Sequence, residues 1–116
     1  LLGTTFGGNH LACVAAIAVL DVMKDENLIE NVQKMGEYIE NEIKDFPHIK
    51  NIRRKGLMIG IEVEQPVGTV RDALLFKEHI FCGYSGKHTL RLLPSLAIDQ
   101  KIADQFLQSL KTVLAN

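Results

Sequence analysis

Apolar and polar positions follow three different patterns along this chain, and each pattern predicts a different kind of element. From residue 11 to residue 23 the run is apolar almost without interruption, and Leu11, Val14, Ile17, Leu20 and Val22 do not keep to one stripe. A helix of that composition normally has neighbours on every side. The segments that follow are too few to surround it, so it is expected to pack against a larger body or a second copy of the chain. Between Asn27 and Asp45 the apolar positions narrow to one stripe, Leu28, Val32, Met35, Ile39 and Ile43. Glu30–Lys34 and Glu40–Lys44 stand as favourable i,i+4 pairs on the polar side of this second helix. Asn27 with Glu30 has the pattern of a capping box. Gly36 costs about 1 kcal/mol inside a helix, which predicts close packing there. Phe46-Pro47 ends the helix.

The period then changes to two. Leu57, Ile59, Ile61 and Val63 alternate with Met58, Gly60 and Glu62, as in a half-buried strand. A hairpin is expected, with residues 49–54 as its first strand, Lys55-Gly56 as the turn and residues 57–63 as its second strand. After the loop Gln65-Pro66-Val67-Gly68, Thr69 is the expected cap of a short helix. Residues 80–82 read as a strand, 83–87 as a turn and 89–92 as a last strand stopped by Pro94. Asp99 caps a terminal helix whose expected apolar face is Ile102, Phe106, Leu110 and Val113. These elements predict an α+β fold, a small, mainly antiparallel sheet with helices on one face, preceded by the long apolar helix.

Composition narrows the classes. With 116 residues, 47% of them hydrophobic, the chain can bury one modest core. Its net charge of −1 gives no reason to expect a nucleic acid or an anionic membrane as partner. No run reaches the roughly 18 apolar residues of a membrane span. Cys13 and Cys82 do not make a disulfide framework, so a reducing, cytoplasmic compartment is expected. There is no initiator Met and no signal-like leader, and the chain is expected to begin within a longer protein. His10, His48, His79 and His88 lie in different elements without metal-ligand spacing, so no metal site is expected. No P-loop and no Gly-x-Ser-x-Gly elbow occurs.

Two stretches carry candidate chemistry. Gly3-Thr4-Thr5-Phe6-Gly7-Gly8-Asn9 places two hydroxyls and three glycines ahead of a helix start. Backbone N–H groups and the positive end of a helix suit an anion, although Asn9 as a simple N-cap would explain the turn equally well. The second is Arg91, facing opposite to Leu90 and Leu92 in a strand and so expected to be semi-buried. A guanidinium there needs an anionic partner, either a bound carboxylate or Glu62 or Glu64 in the neighbouring strand.

The Gly3–Asn9 stretch, Lys55-Gly56-Leu57-Met58-Ile59-Gly60-Ile61-Glu62 and Leu90-Arg91-Leu92-Leu93-Pro94-Ser95-Leu96 occur in that order. Together they resemble the class III pyridoxal-phosphate aminotransferases, in the acetylornithine and ornithine branch. Leu2 and His10 depart from the family pattern, which usually has His before the first glycine and Pro after the Asn. The resemblance implies the C-terminal domain of a fold-type I enzyme. Residues 1–24 would be the phosphate-motif segment and an interdomain or dimer helix, and residues 25–116 the small domain. It further implies that Thr5, beside Thr4, bonds the phosphate of pyridoxal 5'-phosphate in the other subunit of a homodimer. Arg91 would grip the α-carboxylate of an amino-acid substrate.

The implied reaction moves an amino group between an N-acylornithine and 2-oxoglutarate, in arginine biosynthesis. An ornithine or other ω-aminotransferase is the alternative, and a non-catalytic dimerisation module is the alternative from another class. None of the nine lysines sits in an apolar strand with an accompanying aspartate. No catalytic residue is therefore expected in this chain, which should be inactive alone.

Overall fold

The computed structural model describes residues 3–115. Helix α1 (His10–Asp25) is followed by α2 (Leu28–Ile43), β1 (Ile49–Lys55), β2 (Met58–Val63), α3 (Val67–Phe76), β3 (Gly83–Ser85), β4 (Thr89–Leu92) and α4 (Gln100–Leu114). The strands form one antiparallel sheet in the order β1-β2-β4-β3.

Period-two alternation in β2 and β4 sorts their side chains onto two faces. Ile59, Ile61, Val63, Leu90 and Leu92 point inward and are buried. They meet Met35, Ile39 and Ile43 of α2, Val70 and Leu74 of α3, and Ala103, Leu107, Leu110 and Leu114 of α4. No polar or charged residue among those described is buried. The opposite face carries Met58, Gly60, Glu62, Thr89 and Arg91, and among the described residues none of these five is buried.

Helix α1 stands apart. None of its residues is buried, and Leu11 and Leu20 are 81% and 63% exposed. It touches α2, and its last turns flank a shallow cleft beside Ser95, Leu96 and Ala97. The expectation that this chain cannot cover its own apolar helix therefore holds. No helix among the described residues is long and apolar enough to cross a membrane.

Several local expectations are corrected. Asn27 stands at the N-cap position of α2, its carbonyl accepting from Asn31 N–H, but the capping box does not form: Asn27 adopts a left-handed conformation (φ 50°) and its side chain makes no cap bond. Its N–H bonds the Lys24 carbonyl, so it ends α1, a role asparagine tolerates because it visits that region readily. Glu40 pairs with Arg54 of β1 rather than with Lys44, and Glu30 and Lys34 form no ion pair. The hairpin turn is Gly56-Leu57, one residue later than expected, with Lys55 opposite Met58 and Gly56 at φ +59°.

Helix α3 starts two residues before Thr69, with Pro66 at its cap. The fixed φ of proline suits a helix start, and Val67 is drawn in as a core residue. Residues 80–82 form no strand. Ile80 N–H bonds the Leu74 carbonyl at 2.9 Å, which ties this stretch to the end of α3, and pairing begins only at Gly83. The α4 face is rotated from the expected one: Leu110 is buried, but Ile102 is 53% exposed and Ala103 lies at 0% in its place. Asp99 caps α4 as expected, its Oδ1 accepting from Ile102 N–H at 2.9 Å.

Candidate functional site

Arg91 stands where two geometries meet. Its neighbours Leu90 and Leu92 hold β4 to the core, which forces the arginine onto the opposite face. The register places Gly60 of β2 opposite it on one side and Gly83 of β3 on the other. The guanidinium leans to the β3 side: a Cβ on Gly83 would lie 3.1 Å from both Nε and Nη2. A Cβ on Gly60 would meet Thr89 and the Arg53 carbonyl instead.

Arg91 is exposed, not semi-buried, and neither Glu62 nor Glu64 answers it. Glu64 accepts from His48 Nδ1 at 2.9 Å, and Glu62 lies opposite Thr89 in the ladder. Among the described residues Arg91 makes no ion pair and no side-chain hydrogen bond. An arginine in that state can accept a planar anion bidentately, with no internal partner to displace.

Beside it lies a mostly apolar cleft of about 350 Å³, lined by Phe81, Gly83, Arg91, Leu93, Ile102 and Phe106 among others. The wall after β4 is fixed from α2, since Asn31 Nδ2 donates to the carbonyls of Leu96 (2.8 Å) and Ile98 (3.0 Å). On the other side Arg71 of α3 sits over the Tyr84 ring at 4.9 Å, bracing β3. Cys82 is no nucleophile here: burial pushes its thiol up to about 11, keeping it protonated at neutral pH.

The glycine–threonine stretch is built separately. Gly8 takes φ +74°, Gly7 N–H bonds the Thr4 carbonyl, and the Thr4 methyl packs where a Cβ of Gly7 would stand. Asn9 closes the turn, donating to the Phe6 carbonyl at 2.7 Å and accepting from Ala12 N–H at 2.9 Å. His10 therefore occupies the first helical position without disturbing the cap; Leu2 lies outside the described residues. Thr4 and Thr5 are exposed, and neither hydroxyl has a partner among the described residues. They precede α1, whose residues Ala18, Val19, Val22 and Met23 line the cleft beside Ser95, Leu96 and Ala97. Eight residues of helix, 10–17, lie between Asn9 and Ala18, nine steps and so roughly 13 Å at 1.5 Å per residue.

The two expected sites are thus mounted on different parts of the chain. Gly83, read from sequence as a turn glycine, is a strand residue beneath the arginine. Only the β3–β4 register reveals it.

A sequence profile of the family described as Aminotransferase class-III matches residues 2–114. The chain is 38% identical over 115 residues to an ornithine aminotransferase of Staphylococcus carnosus (strain TM300), covering 97% of this chain and 29% of that protein. It is also similar to the acetylornithine aminotransferase from Elizabethkingia anophelis, with a TM-score of 0.83 and 29% identity over 99% of this chain and 32% of that one. The Toxoplasma gondii ornithine aminotransferase, described with partial occupancy of PLP at its active site, gives a TM-score of 0.83 and 29% identity. That match covers 98% of this chain and 28% of the Toxoplasma chain. The chain spans under a third of the length of each of these relatives.

Proposed function

Because the chain belongs to the class-III aminotransferase family, we propose that it contributes two holding groups to a pyridoxal-phosphate-dependent aminotransferase. Arg91 holds the carboxylate of the amino-acid and 2-oxo-acid substrates, and Thr5, with Thr4, holds the cofactor phosphate. The observation that carries this reading is the unpartnered guanidinium of Arg91 on the sheet face opposite the core.

The threonine stretch fits the phosphate. Two exposed hydroxyl donors, a glycine turn and a helix N-terminus are the donor types an anion takes. Pyridoxal phosphate, when bound, stores the amino group between the two half-reactions. The residues of this chain bind and orient: Arg91 fixes the carboxylate end of the substrate. All nine lysines are exposed, and none stands in an apolar enclosure that would desolvate its amine. In this reading the catalytic lysine is supplied by another part of the enzyme. Residues 1–24 would reach toward a second subunit, and residues 25–116 would be the small domain.

For the donor we propose N-acetylornithine, with 2-oxoglutarate as acceptor, in arginine biosynthesis. Unacylated ornithine is supported equally, by relatives named ornithine aminotransferases at 36–38% identity. In the complete enzyme, comparing kcat/KM for the two donors decides between them. Arg91→Ala should lower kcat/KM for either by about 2–4 kcal/mol, with cofactor affinity nearly unchanged. Unaltered kinetics with a lowered Tm would instead make Arg91 a structural residue.

A further inference from the structure

We propose that Gly83 is a positioning residue for substrate recognition, and that its lack of a side chain sets where the Arg91 guanidinium can lie. The inference rests on the reading of Arg91 as the carboxylate anchor. Three observations carry it. Gly83 is the cross-strand partner of Arg91 in β3. A Cβ there would stand 3.1 Å from Nε, 3.1 Å from Nη2 and 3.5 Å from Cζ, so it would push on the whole fork. The same is not true of Gly60, whose added Cβ has no atom of Arg91 within 4 Å.

The glycine is not demanded by the backbone. Gly83 is absent from the positive-φ residues, so any L-residue fits its conformation. At the first position of the edge strand β3 glycine is still a poor choice on propensity, and a β-branched residue would favour the strand. What the missing side chain provides is a bare lane across β3. The guanidinium lies in it, beside Phe81 and Leu93 of the cleft. A branched side chain at 83 would lift the fork away from β3 and misalign its two parallel donors, where bidentate binding needs a fixed plane.

The test uses the complete enzyme, with ornithine against 1,4-diaminobutane, which is ornithine without its carboxylate. Gly83→Val should raise the KM for ornithine about ten-fold or more relative to that for the diamine, with kcat and Tm held or Tm raised. Gly83→Ala adds only the first atom and should move the same ratio a few-fold. A Tm loss that scales both substrates equally would make Gly83 merely structural and overturn the proposal. So would a ratio unmoved in Gly83→Val, or in Gly83→Ala should the valine variant not fold, while Arg91→Ala shifts it. If Arg91→Ala leaves the ratio unmoved, the carboxylate reading of Arg91 itself has failed.

Discussion

Gly36 of α2 faces the Gly56 carbonyl of the hairpin turn so closely that an added Cβ would lie 2.3 Å from the oxygen and 3.0 Å from Arg54 Nη1. Arg54 seals the same contact, donating from Nε to Glu40 at 2.6 Å and from Nη1 to that carbonyl at 3.3 Å. Helix and hairpin are thus joined at one point by backbone, not by side-chain volume. On an exposed helix surface Gly→Ala stabilises by about 1 kcal/mol. Here the obstacle is a backbone carbonyl that cannot rotate away. We expect Gly36→Ala to destabilise the chain by about 2–3 kcal/mol in urea unfolding, the usual cost of overpacking. A gain in stability would show that the turn yields.

Cys82 makes stability pH-dependent on the alkaline side. Burial raises its thiol from the ordinary 9.0 to about 11, so between those values the folded chain keeps a proton that the unfolded chain has lost. That contribution is complete below pH 9 and is lost as pH rises through 11. Unfolding free energies of the native chain and of Cys82→Ala should therefore differ in slope across this window, with the alanine variant flatter. Parallel slopes would exclude the thiol as the cause.

Helix α1 should drive association. Leu11, Val14, Ile17 and Leu20 are all more than half exposed on one helix, and contiguous exposed apolar surface marks an interaction site. Sedimentation velocity of the isolated chain should show dimers or larger species, and Ile17→Glu should shift them toward monomer. A native monomer with α1 amides fully protected from exchange would contradict this.

Much of this fold is legible in the residues because it depends on local period. The β2 alternation, the β4 limits, the Asp99 cap and the α2 stripe are each set by neighbours within a few positions. What escapes depends on distant partners. Asn27 reads as half of a capping box until one sees that α1 and α2 are joined by only two residues, which requires a left-handed turn. Ala103 is too small to announce an apolar face, yet it sets which side of α4 is buried. Glu40 reads as half of a helix pair, but Arg54 reaches it from the hairpin. At the candidate site, the outward direction of Arg91 follows from Leu90 and Leu92 alone. The lane it occupies belongs to β3, and no local pattern connects positions 83 and 91.

The strand order has a consequence for how the chain assembles during synthesis. β1 and β2 can zip together as soon as residue 63 has emerged, but the next partner of β2 is β4, beyond α3 and β3. Until residue 92 is available, β2 remains an unpaired edge and β3 has nothing to pair with. A ribosome moving at about 5–20 residues per second leaves that edge open for roughly 1–6 seconds. The interval spans the steps that bring the lane at Gly83 and the arginine above it together, so the strand that carries Arg91 is also the keystone of the sheet.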